Sequence, residues 1–119
     1  QDVQNELTQS GCPVYEVNVN GIKENHFQAV LSDELILDYE NGRFQMHFTT
    51  KSKTSVSAGR SLRYAEVGTL KNVKILADTS SVEVFVNDGE FVFSTRYYPN
   101  DYKIVVHSPS AHITFDKIQ

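Results

Sequence analysis

Acidic side chains are the first place to look for chemistry in this sequence, because general acid and base catalysis needs carboxyl groups that act together. Asp78, Glu83 and Asp88 all fall within residues 75–99. Glu83 has no obvious partner on its strand, so a hydrogen bond on an outer face or at a domain interface is the expected role. Asp78 is expected to cap the turn at Thr79-Ser80 through an Asx-type bond, and Asp88 is a turn residue first.

The histidines and the serines near them do not have the spacing of a metal or nucleophile site. His107 and His112 flank a Ser-Pro-Ser turn and could approach each other, but a zinc site needs more ligands. Ser108 and Ser110 lack the glycines of a nucleophile elbow. We therefore predict no catalytic residue, no metal ligand and no cofactor for this chain.

Basic and aromatic side chains suggest two kinds of binding. In the segment Gly-Arg-Ser-Leu-Arg at 59–63, Arg60 and Arg63 are candidates for contact with an anion or a phosphorylated sugar, with a solvated basic loop as the plainer interpretation. Four tyrosines could form a platform on which sugars stack: Tyr64, Tyr97, Tyr98 and Tyr102. Tyrosine is also common in strands, so exposed coplanar rings would favour this hypothesis and buried rings would count against it.

Strands must position these side chains, and the clearest pair surrounds Asp88-Gly89. These two residues suit the positive φ values of a type I′ turn, and the flanking runs alternate apolar and polar residues. With a two-residue loop the two runs share one apolar face, which we predict to lie in the core: Val82, Val84, Val86, Phe91 and Phe93.

The opposite face of this hairpin is mixed in character. There Phe85 pairs with Val92, although an antiparallel sheet normally keeps its outer face polar. We therefore predict that a partner covers this face, with Phe85 and Val92 at a domain interface and Glu83 and Arg96 at its polar rim. The competing interpretation places Phe85 in the core of the domain itself.

The same period-2 alternation recurs along the chain, including a second hairpin around Asn41-Gly42. No stretch of 11 residues or more shows a convincing 3.6-residue period of apolar residues, which an amphipathic helix would require. About nine short strands at regular spacing predict an all-β fold, a two-sheet antiparallel sandwich of the jelly-roll or concanavalin-like kind. Each strand has one apolar face, and two sheets can bury those faces against each other. Residues 13–119 are predicted to form this domain, and the polar residues 1–12 a linker.

Composition limits the function classes. The 119 residues correspond to one domain. The net charge of −4 does not indicate the basic surface that binding to nucleic acid requires. No apolar run approaches the length of about 18 residues needed to span a bilayer. The single cysteine, Cys12, rules out an internal disulfide and favours a reducing compartment.

A resemblance to a known family is carried by two adjacent motifs: Asp78-Thr-Ser-Ser-Val-Glu-Val-Phe-Val-Asn-Asp-Gly-Glu90 and Ser94-Thr-Arg-Tyr-Tyr-Pro99. They resemble the signature of the C-terminal β-sandwich domain of glycoside hydrolase family 32, which includes invertases, sucrose-6-phosphate hydrolases, levanases and inulinases. The segment at 59–63 is similar to one at the same relative place in that domain. The resemblance implies a catalytic domain N-terminal to this chain, with residues 1–12 as the linker from it.

The catalytic motifs of that family are missing here. Its members are retaining hydrolases, which use an aspartate nucleophile, a glutamate acid and a second aspartate that stabilises the transition state. Two carboxyl groups about 5–5.5 Å apart suit this chemistry. The family holds the three groups in motifs of the type W-x-N-D-P-x-G, Arg-Asp-Pro and Glu-Cys. This sequence has no tryptophan, no arginine followed by Asp-Pro, and a glycine rather than a glutamate before Cys12. No catalytic residue is carried over, and we expect no hydrolysis from the chain alone.

The resemblance implies a non-catalytic accessory domain of a sucrose or sucrose-6-phosphate hydrolase. Such a domain would stabilise the N-terminal five-bladed β-propeller of the same protein, a β-fructofuranosidase, and could mediate formation of a homodimer. The alternative is a carbohydrate-binding module of lectin-like fold that binds sugars weakly. Neither hypothesis involves nucleic acid or a membrane. The lack of disulfides favours a cytoplasmic enzyme over a secreted one.

Overall fold

Eleven β-strands make up the regular structure in a computed structural model, which describes residues 6–11, 13–23, 26–32, 34–48, 63–96, 102–108 and 111–118. In chain order they are β1 (Glu6–Ser10), β2 (Tyr15–Asn20), β3 (His26–Leu31), β4 (Leu35–Glu40), β5 (Arg43–Phe48), β6 (Arg63–Glu66), β7 (Asn72–Ala77), β8 (Ser81–Val86), β9 (Phe91–Arg96), β10 (Lys103–His107) and β11 (His112–Lys117). Among these residues there is no helix long and apolar enough to cross a membrane.

The strands form two sheets in which neighbouring strands run antiparallel. Sheet A has the order β1-β10-β3-β4-β5-β6, and sheet B has the order β11-β2-β7-β8-β9. The predicted all-β, two-sheet sandwich is confirmed. The described residues contain eleven strands rather than about nine, in part because the prediction assigned none to residues 1–12.

Part of the stretch that we predicted to be a linker is a strand. Residues Glu6–Ser10 form β1 at the edge of sheet A, with Glu6 opposite His107 and Ser10 opposite Lys103. The run is short and polar, so its sequence shows no alternation that would identify it. It is a strand because it pairs with the backbone of β10, which would otherwise present an open edge. Residues 1–5 and Cys12 lie outside the described residues.

Both predicted hairpins have the expected register. Val86 lies opposite Phe91 in one, and Tyr39 lies opposite Phe44 in the other. The turn glycines Gly42 and Gly89 have φ values of 89° and 90°, which only glycine adopts easily. The turn between β8 and β9 is longer than predicted, because Asn87 before Asp88-Gly89 is also left-handed, with a φ of 53°.

The core lies between the two sheets and includes the predicted face of the β8–β9 hairpin. Val82, Val84 and Val86 are completely buried. Phe93 is also buried and contacts Phe44 of sheet A, with ring centroids 5.4 Å apart, so the two hairpins pack directly on each other. Phe91 is half-buried and packs against this core.

The substitution Val84→Ala should lower the free energy of unfolding by about 1–3 kcal/mol, because it removes buried methyl groups and leaves a small cavity. Val92→Ala on the paired strand is the matched control. Val92 is 54% exposed, so the same change should cost no more than about 0.5 kcal/mol. Chemical denaturation measures both values, and equal effects would show that the two faces are assigned wrongly.

Candidate functional site

The outer face of sheet B carries the four residues predicted to form a domain interface. Because side chains alternate along a strand, Glu83 and Phe85 point away from the buried valines of β8. Glu83, Val92 and Arg96 are exposed, and Phe85 is half-buried. Phe85 therefore lies outside the core between the sheets, which is the placement that the interface hypothesis requires.

Apolar side chains of three neighbouring strands meet on this face. Phe85 lies opposite Val92 of β9 and opposite Lys74 of β7, which brings it diagonally next to Leu76. We call Leu76, Phe85 and Val92 the outer patch. Leu76 and Phe85 also line a depression of about 320 Å³ that continues toward the β8–β9 turn. A contiguous apolar patch on an otherwise polar sheet face is typical of an interaction surface.

Polar side chains surround the outer patch. On the β2 side, Glu16 accepts a hydrogen bond from Asn18 Nδ2 at 2.8 Å, and its Oε2 lies 3.7 Å from Lys74 Nζ. On the β9 side, Glu83 and Arg96 line a second depression of about 470 Å³. An apolar centre with a polar, charged rim is the usual anatomy of a protein interface.

Asn87 fixes the hairpin turn against the start of β7. Its Oδ1 accepts hydrogen bonds from the backbone N–H of Lys71 at 2.7 Å and of Asn72 at 3.4 Å, and its Nδ2 donates to Thr69 O at 2.9 Å. Asn87 is 9% exposed, so the amide group that makes these bonds has little access to water. Sequence reasoning missed this role, although asparagine is one of the few residues that tolerate a left-handed conformation.

Asp78 and Asp88 have the turn roles predicted for them. Asp78 Oδ1 accepts hydrogen bonds from Ser80 N at 2.8 Å and from Ser81 N at 2.9 Å. The bond from Ser80, followed by those from Ser81, holds the pKa of this carboxyl group below its ordinary value. Asp88 has a φ of 60°, and its Oδ1 accepts a hydrogen bond from Asn72 Nδ2 at 3.3 Å.

The other candidate ligands are not brought together. His107 ends a strand of sheet A and His112 begins one of sheet B, and no group of three or more His, Cys, Asp or Glu side chains in the described ranges could hold a metal ion. Arg63 lies on edge strand β6, opposite Met46. Arg60 lies outside the described residues, so the anion contact stays a prediction. Ser108 is buried, and Ser110 is not described.

The tyrosines do not form the single platform that was considered. Tyr64 on β6 and Tyr102 beside β10 are both exposed, at 55% and 37%. Three strands, β3, β4 and β5, separate β10 from β6, which corresponds to roughly 19 Å. Tyr97 and Tyr98 lie outside the described residues. The two described rings cannot stack on one sugar together.

Comparison with known proteins identifies the family. The family model described as "Glycosyl hydrolases family 32 C terminal" matches residues 22–119. The chain belongs to this family. In sequence, this family 32 domain is 59% identical to sucrose-6-phosphate hydrolase of Escherichia coli over 32 residues, which are 27% of this chain and 7% of that protein. The chain thus matches only a small part of this curated relative.

Solved structures agree on the fold of this family 32 domain. Sucrose-6-phosphate hydrolase from Lactobacillus gasseri superposes with a TM-score of 0.74 at 16% identity, covering 98% of this chain and 28% of that one. Sheep galectin-11 superposes with a TM-score of 0.59 at 13% identity, covering 98% of this chain and all of that one (100%). At such identities the likeness concerns the sandwich fold alone.

Asn87→Ala should destabilise the domain more than the same change at Asn41. Both asparagines are left-handed, with φ values of 53° and 51°, but Asn41 is exposed in its turn. Asn41→Ala therefore carries only the cost of placing alanine in a left-handed conformation. Asn87→Ala carries that cost and also removes the side-chain partner of the part-buried Lys71 N–H and Thr69 C=O. We expect the free energy of unfolding to fall by about 1–3 kcal/mol more for Asn87→Ala. Equal losses in chemical denaturation would contradict this role for Asn87.

The lowered pKa of Asp78 predicts a pH-dependent contribution to stability. A carboxyl group whose pKa is lower in the folded state stabilises the fold above its unfolded pKa, and this contribution is lost as pH falls toward the folded value. Asp78→Asn keeps an acceptor oxygen but cannot titrate. The stability advantage of the wild type over Asp78→Asn should therefore shrink as pH falls through the carboxyl range. Denaturation curves at several pH values measure this, and a constant difference would refute it.

Proposed function

We propose that this chain is the non-catalytic accessory domain of a sucrose or sucrose-6-phosphate hydrolase, and that it stabilises an N-terminal five-bladed β-propeller of the same protein. Membership of the family supports the accessory role. The name of the curated relative, sucrose-6-phosphate hydrolase, supports the activity of the parent enzyme, which is a β-fructofuranosidase in this proposal. The absence of the family's catalytic motifs from this sequence fits a domain that does no chemistry itself.

The observation that carries this proposal is the outer patch. Val92 is 54% exposed, more than any other aliphatic side chain among the described residues, and it sits directly opposite the aromatic ring of Phe85. Burying such a group against a second surface gains about 25 cal/mol per Å² of apolar area. The propeller is the partner we assign to it, with Glu83 and Arg96 at the rim.

The outer face of sheet A is a weaker candidate for this contact. It also carries aliphatic side chains, Val30, Ile36 and Val105, but all three are half-buried. They lie directly opposite one another on adjacent strands and so cover each other within the sheet. This row contains no aromatic ring and no fully exposed apolar side chain. Sheet B therefore offers the larger gain on docking.

Two further features of the parent enzyme belong to this proposal. A homodimer could use the outer patch where the propeller leaves it uncovered, since the same apolar surface would favour self-association. A cytoplasmic location is supported by the cysteine content of this chain, because its 119 residues hold no second cysteine with which Cys12 could form an internal disulfide.

Phe85→Ser should have different effects in the isolated chain and in the full-length parent enzyme. In the isolated chain it should remove concentration-dependent self-association, measured by sedimentation velocity, and leave the chain folded. In the parent enzyme it should lower the midpoint of thermal inactivation by several degrees, because the interface with the propeller loses its aromatic centre. The KM for sucrose should stay unchanged, since Phe85 is not proposed to contact substrate.

Tyr64→Ser is the matched control, because it removes an even more exposed aromatic ring from the other sheet. It should change neither self-association nor thermal inactivation. The proposal fails if both substitutions have the same effect, or if Phe85→Ser destabilises the isolated chain as much as it does the parent enzyme.

A further inference from the structure

The outer face of sheet A carries a connected polar network beside an exposed aromatic ring. Arg43 Nε donates a hydrogen bond to Glu66 Oε2 at 2.9 Å. The guanidinium group of Arg43 also lies over the ring of Tyr64, 4.7 Å from its centroid. Tyr64 nevertheless remains 55% exposed, so much of its ring is open to a ligand. A cation over one side of a ring helps to hold that ring in place.

The network continues across β4 and β5. Gln45 Nε2 donates to Asp38 Oδ1 at 3.2 Å, and His47 Nε2 lies 3.8 Å from Asp38 Oδ2. The strand register places Gln45 directly between Asp38 and Tyr64. We call the group of Asp38, Arg43, Gln45, Tyr64 and Glu66 the polar face. A depression of about 370 Å³ lies beside it, lined by Glu40, Asn41, Arg43, Gln45 and Glu66.

Rigid elements support the polar face. Its residues lie on three adjacent strands, and the end of β6 is tied to the β4–β5 turn. Gly42 O accepts hydrogen bonds from Val67 N at 2.8 Å and Gly68 N at 3.2 Å. The buried Tyr39 adds a hydrogen bond from its hydroxyl group to Gly68 O. A ligand would thus meet side chains carried by a fixed backbone, which lowers the entropy cost of binding.

The chemistry of the polar face suits a neutral, hydroxyl-rich ligand. Carboxylate oxygens accept hydrogen bonds from hydroxyl groups, and guanidinium and amide groups donate to them. The ring of Tyr64 offers an apolar surface for the C–H side of a sugar ring. The two carboxylates of the polar face, Asp38 and Glu66, together with Glu40 of the neighbouring depression outnumber its one arginine, so the local charge disfavours a phosphorylated ligand.

We propose that the polar face is a binding site for neutral oligosaccharides, with Tyr64 as the stacking residue and Arg43, Gln45 and Glu66 as hydrogen-bonding partners. This site goes beyond the accessory role. It lies on the sheet opposite the outer patch, so each proposal can fail while the other stands.

The test is a titration of the isotopically labelled 119-residue chain with sucrose, with soluble inulin oligosaccharides and with sucrose 6-phosphate, followed by amide chemical shifts. The neutral sugars should cause saturable shifts concentrated on β4, β5 and β6. Sucrose 6-phosphate should bind more weakly than sucrose. Tyr64→Ala should weaken binding at least about tenfold, whereas Tyr64→Phe, which keeps the ring, should stay within about twofold.

Tyr102→Ala is the control, since Tyr102 is the other exposed tyrosine of the described residues and three strands separate its neighbour β10 from β6. It should leave binding unchanged, and the spectra of each variant show whether it is folded. The proposal is overturned if no saturable shifts occur, if the shifts fall on sheet B instead, if Tyr102→Ala weakens binding as much as Tyr64→Ala, or if sucrose 6-phosphate binds more tightly than sucrose.

Discussion

The hydrogen bonds of the Asn87 side chain are the constraint on which the rest of sheet B depends. They join the β8–β9 turn to the residues that lead into β7, and the backbone N–H of Asn87 adds a further bond to Asn72 O at 2.9 Å. These hydrogen bonds fix the register of β7, β8 and β9 at the end of the sheet where the β8–β9 turn lies. Because a slip of one residue would turn every side chain to the other face, the buried valines and the outer patch both rely on this clamp.

Most of the fold could be predicted from local sequence patterns. Period-2 alternation and the glycine turns determine the two hairpins, so the pairings of Val84 with Phe93 and of Leu37 with Met46 follow from the sequence alone. The same pattern shows that Phe85 faces away from Val84 and Val86. The separation of Phe85 from these valines was therefore predictable, but the alternation alone does not say which of the two faces meets the other sheet.

The features that sequence reasoning missed all depend on contacts between distant parts of the chain. Strand β1 exists because it pairs with β10, near the other end of the sequence. The network around Arg43 forms because β6 pairs with β5, and nothing in either segment specifies that Tyr64 will lie beside Arg43. Only Asp88-Gly89 was assigned to the turn, and the bonds of Asn87 to Thr69 and Lys71 require the strand arrangement to be known.

The two outer faces of the sandwich differ in polarity, and this difference suits them to different kinds of partner. Sheet B gathers its apolar groups, the half-buried Phe85 and the exposed Val92, on the adjacent strands β8 and β9, where burial by a large partner gains apolar contact. Sheet A keeps its aliphatic row half-buried and exposes charged and amide groups beside the ring of Tyr64 on β6, the last strand in its order. Such a surface gains little from docking on a protein, because desolvating Arg43 and Glu66 would cost about as much as their pairing returns. A small hydroxylated ligand can replace the water around these groups without leaving them unpaired. A sandwich that packs through one sheet thereby leaves the other free to bind a ligand.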